Sequence, residues 1–248
     1  ETPKGFSDQS QASTVEAVNA LNRLKAADNA DPEIETRIAN YELAFKMQSS
    51  APELLDLSQE TQETLDRYGI DNPAQPSYAR NCLLARRLVE RGVRFVELFH
   101  GDWDHHTSIY QRLPGECKAT DQASAALVWD LKQRGLLDET LVIWGGEFGR
   151  SSVAQKSLTP GEPVGRDHHV DAFTMWFAGG GVASGKSIGE TDDIGFDATT
   201  DRWHIHDLHA TMLHALGLDH KRLTYRHQGR DYRLTDVHGN VKSELFTS

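Results

Sequence analysis

Val93-Arg-Phe-Val-Glu-Leu-Phe99 and Thr140-Leu-Val-Ile-Trp144, with the helical pattern Thr120 to Arg134 between them, decide the fold expected of this sequence. Both runs are short, apolar and rich in β-branched or aromatic residues, as buried strands are. Gly92 and Gly135 stand where the preceding helical patterns must stop. Strand, helix and strand in that order form a βαβ unit with a right-handed crossover and parallel strands. The loops after Phe99 and Trp144 then leave the sheet at one edge. A third run, Ala172-Phe-Thr-Met-Trp-Phe-Ala178, follows a Gly-, Pro- and polar-rich stretch with no helical period. Without a crossover helix it is expected to run antiparallel, which brings His168 and His169 to the same edge.

Those edges are where histidines gather. Of the twelve in the chain, His100, His105 and His106 follow the first run, His168 and His169 precede the third, and His204, His206, His209 and His214 lie further on. Imidazole nitrogens beside carboxylates at strand ends supply the donors a divalent cation takes. The first two clusters flank Gly145-Gly-Glu-Phe-Gly-Arg150, so Glu147 and Arg150 are expected near them. The bland alternative, packed or solvated histidines pointing apart, fits a scattered dozen better than three clusters.

The remaining chain reads as support. Residues from about Ser13 to Gly92 read as helices. Asp31-Pro32 is a helix start, with Ile34, Ile38, Tyr41 and Phe45 on one core-facing stripe. Ser77 to Arg91 is a second helix with Cys82, Ala85, Leu88 and Val89 inward. His206 to Leu216 is a short helix ended by Gly217, packing Leu208, Met212, Leu213 and Leu216. Tyr225 to Val237 reads as a hairpin turning at Gln228-Gly229. Gly179-Gly180-Gly181 lacks the Lys-Ser/Thr and helix of a phosphate loop, so it reads as a turn.

Composition excludes several classes. A chain of 248 residues with 38 % hydrophobic and 25 % charged residues suits a globular protein, and no apolar run approaches a membrane span. A net charge of −11 with no basic run disfavours nucleic-acid binding. An anionic substrate would need local positive charge from metal, Arg150 or Arg166. Cys82, in a helix, and Cys117, in a loop-like stretch, make neither a disulfide framework nor a thiolate site. The opening Glu1-Thr-Pro-Lys-Gly-Phe6 shows no export signal.

Taken together, Trp103-Asp-His-His106, Gly145-Gly-Glu-Phe-Gly-Arg150, Gly165-Arg-Asp-His168, Phe173 to Gly181, His206-Asp-Leu-His-Ala-Thr211 and Gln228 to His238 resemble a sulfatase-like family of unknown function within the alkaline phosphatase superfamily. The resemblance covers nearly the whole chain. It implies a three-layer alkaline-phosphatase-like α/β fold, with a mixed, mostly parallel sheet and metal ligands at the strand ends. Residues 1–92 would be a helical region packed on the sheet and 93–248 the metal-site region. Members usually open with an export signal and a strand carrying an Asp ligand and the nucleophile. Neither is found in this sequence, so the chain resembles the C-terminal part of a member, exported to the periplasm or outside the cell.

The resemblance nominates Asp104 and His106, with Asp102 as the alternative because Asp102 and His106 fit the spacing Asp-x-x-x-His. It also nominates His168, with Asp167 as a ligand or an acceptor behind an imidazole. Glu147 would sit on a second cation, although Phe148 replaces the usual His beside it. Arg150 could present a fork to phosphate or sulfate or form a structural ion pair. The reading that follows is a hydrolase of phosphate or sulfate esters using a divalent metal, zinc first and manganese or calcium as alternatives. It is weak or inactive without its upstream nucleophile. The alternative is a noncatalytic metal-binding or surface protein that keeps the fold.

Overall fold

A computed structural model describes residues 7–29, 36, 38–42, 52–157 and 159–246. The chain divides into two compact units, Glu1–Thr61 and Gln62–Ser248. In the first, α1 (Asp8–Asn29) is a long, weakly amphipathic helix, and residues 38–42 and 52–55 are also helical. Glu42 accepts hydrogen bonds from the Asn19 amide and the Arg23 guanidinium. Of the expected apolar stripe, Ile38 is buried but Tyr41 is exposed. Asp31, Pro32, Ile34 and Phe45 lie outside the described residues.

The second unit is built on α2 (Gln62–Tyr68), α3 (Tyr78–Glu90) and α4 (Ile109–Gln133), each packed on the other two. Ser77 caps α3 through its hydroxyl on the Arg80 N–H, and Gly92 follows the helix in the left-handed region. Cys82, Leu83, Leu131 and Tyr68 are sealed between the helices. α4 starts eleven residues before the expected Thr120, carries Pro114 inside it, and places Cys117 on a helix rather than in a loop. Pro114 lies early enough that only the start of the hydrogen-bond ladder is disturbed.

Polar groups inside this helical layer are paired. Asp130 accepts from the Tyr68 hydroxyl at 3.1 Å and pairs with Arg86 at 3.1 Å and Arg134 at 2.7 Å. Burial, and then the Asp130 carboxylate, push the Tyr68 phenol far above its ordinary value, so it stays a donor. Tyr68→Phe is expected to cost about 1 kcal/mol of stability, read as a lower urea midpoint at unchanged slope.

The strands do not form the expected sheet. β1 (Val142–Trp144), β2 (Gly149–Arg150), β3 (His168–His169), β4 (Trp176–Ala178), β5 (Glu190–Thr191), β6 (Ala198–Thr200), β7 (Thr224–His227) and β8 (Arg230–Arg233) pair, among the described residues, only as four two-stranded antiparallel ribbons. No extended parallel sheet is present, so the three-layer, mostly parallel alkaline-phosphatase-like architecture is overturned. Val93–Phe99 pairs with no strand, leaving Phe95 and Phe99 66 % and 81 % exposed. High β propensity describes a side chain's fit to a pleated surface, and it makes no strand where no partner backbone lies alongside. The antiparallel sense of the third run is observed, with Val142 opposite Ala178 and Trp144 opposite Trp176.

The C-terminal third holds α5 (Ile205–Ala215) and the β7–β8 hairpin. Gln228 and Gly229 both have positive φ, the conformation that a two-residue hairpin turn of matching twist requires. On α5 Leu208 and Leu213 are buried, while Leu216, just after the helix, is exposed. Behind the hairpin, His220 Nδ1 and the Thr235 hydroxyl form a buried hydrogen bond of 2.9 Å.

Candidate metal centre

Two segments far apart in sequence are laced together to make the site. The Arg166 N–H donates to the His105 carbonyl at 3.0 Å, the Ser108 N–H to Pro163 at 3.0 Å and the Ile109 N–H to Val164 at 3.2 Å. Gly165 lies so close that a Cβ there would overlap the His105 carbonyl and the His106 backbone. A second seam is β2–β3, in which Arg150 faces His168 and Gly149 faces His169. Directly opposite residues project to one side, so the guanidinium and the His168 imidazole emerge together.

They meet Asp104. Its Oδ1 lies 2.9 Å from His106 Nε2 and 2.9 Å from His168 Nε2, and it accepts a short hydrogen bond from Arg150 Nη1. The three potential ligand atoms of Asp104, His106 and His168 all lie within 4.8 Å of one another. The Arg150 fork and then the His168 ring hold the Asp104 carboxyl down at about 2, although its side chain is 62 % exposed. The other arm of Arg150 is fixed on the Arg166 carbonyl. Of the two readings of Arg150 in the sequence, the ion pair is the one seen, on Asp104.

The His106 ring is oriented from behind. Its Nδ1 lies 2.8 Å from Gln155 Oε1 and 3.9 Å from Asp167 Oδ1. A proton on Nδ1 would be donated to Gln155, which would leave Nε2, 2.9 Å from the Asp104 oxygen, as the nitrogen able to take a cation. Gln155 carries no charge and no motif, so the sequence offered no signal for it.

The nominated residues separate clearly. Asp104, His106 and His168 converge, and none of the three comes from before Gly92. Asp167 stands behind them, its Oδ1 accepting the His168 backbone N–H at 2.8 Å. Asp102, in the left-handed region and exposed, is not one of the converging three, and its charge acts on His105 instead. Glu147 is an exposed turn residue between β1 and β2 and is also outside the converging three. Glu147 lies on the connection between the β1–β4 and β2–β3 ribbons, while Phe148 packs its ring on His168.

The neighbouring histidines face inward. His105 is buried with neither ring nitrogen hydrogen-bonded, and burial lowers its tendency to take a proton. His169 is buried and bonds the Phe196 carbonyl through Nε2 at 2.5 Å. One member of each His-His pair is thus buried, which in β3 follows from strand alternation. An edge-to-face run Tyr78–His100–Trp103–Trp144, continued by Trp176 stacked on Trp144, anchors the 100–106 loop to β1 and β4.

The site therefore defines a candidate mononuclear centre with two imidazoles, one carboxylate and an adjacent guanidinium. The chain belongs to the family described as "Protein of unknown function (DUF1501)", which it matches over residues 1–246. Nothing in that match links it to the sulfatase-like or alkaline phosphatase groups, and the placement drawn from motif resemblance is corrected accordingly. No match is found among curated proteins or among solved structures. Among the described residues no helix is long and apolar enough to cross a membrane.

Proposed function

We propose that Asp104, His106 and His168 bind one divalent cation, zinc foremost, at a centre that hydrolyses a phosphate or sulfate ester. The observation that carries this reading is the convergence of two imidazole Nε2 atoms on one oxygen of an ionised, exposed carboxylate. Three protein ligands leave a coordination position open, the arrangement of catalytic rather than structural zinc. Bound there, the metal would supply a water of lowered pKa and Lewis acidity. The chain's own contribution is positioning: Gln155 sets the His106 tautomer, β3 aims His168, and Arg150 offers a planar fork beside the ligands. Its arms now rest on Asp104 and the Arg166 carbonyl, and its Nε is buried without a partner. A substrate oxyanion can take over these donors once a metal neutralises Asp104. No ligand from Glu147 supports a second cation, so the reading is mononuclear.

Arg150→Ala is expected to leave zinc affinity within a few-fold and to lower zinc-dependent hydrolysis of an aryl phosphate or aryl sulfate by about 100-fold. Equal hydrolysis by wild type and Arg150→Ala would remove the guanidinium from the reading. A zinc-binding chain that hydrolyses neither ester would leave the second reading, a noncatalytic metal-binding protein. That reading draws on the 62 % exposure of the Asp104 side chain, since a site open to water lacks the exclusion that strengthens catalytic electrostatics.

A further inference from the structure

The β7–β8 hairpin covers nothing in its own unit. Every residue from 221 to 232 is exposed, so neither face of the ribbon is packed on a core. A two-stranded hairpin alone is marginal in water. This one is held at its root, where the buried His220 and Thr235 side chains are hydrogen-bonded at 2.9 Å, and at its tip by the Gln228-Gly229 turn. The register sets Tyr225 opposite Tyr232 and His227 opposite Arg230, which puts those four side chains on one face. There the Tyr225 and His227 rings stack at 6.3 Å, and the Arg230 guanidinium lies 4.7 Å over the Tyr232 ring. Tyr225 is 71 % exposed. Aromatic surface laid out this way marks a place where another molecule docks.

Charge selects the partner. Between 221 and 233 stand five Lys or Arg residues and one Asp, a local charge of +4 in a chain whose total is −11. Arg226 and Arg230 reach carboxylates only at 3.5 and 3.7 Å, and Lys221, Arg222 and Arg233 take part in no ion pair among the described residues. Tyrosine and arginine are enriched at protein interfaces and lysine, of which the hairpin has one, is depleted there. That composition favours a protein surface over a polyanion, which the rest of this acidic chain would repel. The chain itself carries the complement. From 190 to 201, around the β5–β6 ribbon, there are five carboxylates and no Lys or Arg. Asp192 is used locally, accepting the Phe196 and Asp197 N–H groups. Glu190, Asp193, Asp197 and Asp201 are exposed and unpaired among the described residues, and the neighbouring Arg202 is taken by Asp171 at 3.0 Å. Ile194 and Phe196 are exposed among these acids, with the Phe196 ring held from behind by His169. Unpaired acids beside two apolar side chains thus match unpaired cations beside two tyrosines. Within one chain, no hydrogen bond or ion pair joins the two ribbons among the described residues.

We propose that two copies of the chain associate by exchanging these hairpins, the Tyr225, His227, Arg230 and Tyr232 face of one docking on the β5–β6 ribbon of the other. Two-fold symmetry makes the contact twice. It involves none of Asp104, His106 and His168. Sedimentation equilibrium tests it. At about 0.1 mM chain and about 0.05 M salt wild type should be dimeric, and about 1 M salt, which shortens the screening length to about 3 Å, should dissociate it. The hairpin variant Arg222→Glu with Arg230→Glu and the ribbon variant Asp193→Lys with Asp197→Lys should each raise the dimer dissociation constant by at least about 100-fold. Tyr225→Ala, which leaves every charge in place, should raise it by about tenfold. Mixed in equal amounts, the two charge-reversed variants should dimerise again, because the acidic hairpin of one meets the basic ribbon of the other while the two unchanged surfaces still match. Misfolded chains would not recover in this way. A monomeric wild type overturns the proposal, and retention of that monomer on heparin, lost in the hairpin variant, would assign the hairpin to a polyanion. A dimer that survives both variants, or a mixture that stays monomeric, overturns it as well.

Discussion

Asp104→Ala is expected to weaken zinc binding at the Asp104, His106 and His168 centre by at least about 100-fold, more than the loss that follows from disturbing a group behind a ligand. Asp104 is the one anionic ligand, and its Oδ1 is the atom on which both Nε2 nitrogens converge. Its replacement also unpairs one arm of Arg150, whose positive charge then stands beside the ligands and opposes a cation. His168→Ala should show a smaller loss, since Asp104 and His106 remain and Arg150 stays paired. Acidification separates the ligand types. The folded-state carboxyl of Asp104, at about 2, lies below its ordinary value near ~4. Its contribution to stability is therefore complete above that ordinary value and is lost as pH falls through about 2. Release of zinc on mild acidification is consequently not an Asp104 event. Potentiometric zinc titration of wild type should show Asp104 ionised throughout that release. Protonation of Asp104 in step with zinc loss would contradict this.

Gly165→Ala should abolish zinc binding without touching a ligand. The added methyl would overlap the backbone of His105 and His106, which cannot yield as a flexible side chain can. The hydrogen bonds from Arg166 to His105 and from Ser108 and Ile109 to 163–164 then part, and Asp104 and His106 move away from His168. Overpacking against backbone costs about 1–3 kcal/mol or more. The melting temperature should fall, and zinc should no longer raise it as mass action makes it do in wild type. A folded Gly165→Ala chain with full zinc affinity would show that the seam does not hold the site together.

Local structure was legible in the sequence wherever one residue's stereochemistry decides it. Ser77 and Gly92 bound α3, Gly135 follows α4 with positive φ, and Gln228-Gly229 turns the hairpin. The histidine clusters were legible as such, Asp104, His106 and His168 were singled out within them by motif resemblance, and the structure brings those three together. Long-range pairing was not legible. Val93–Phe99 has the composition of a strand, but composition cannot say whether a neighbour's backbone lies alongside, and none does among the described residues. Pro114 hid the first turns of α4, because a proline reads as a break unless its place near the helix start is known. Glu147 was drawn to the site by a parallel βαβ geometry that the antiparallel ribbons replace. Gln155 could be found only from coordinates, since an uncharged amide acquires its role by standing behind His106.

The central claim is that one divalent ion is shared by Asp104, His106 and His168. Anomalous diffraction at the zinc edge, from crystals of the chain grown with zinc, locates such ions directly. The account predicts a peak at about 2.0–2.2 Å from an Asp104 carboxylate oxygen and from Nε2 of both His106 and His168, with the Arg150 arm displaced from Asp104. A map with no peak between those three side chains, at zinc concentrations that saturate the chain in solution, would contradict it.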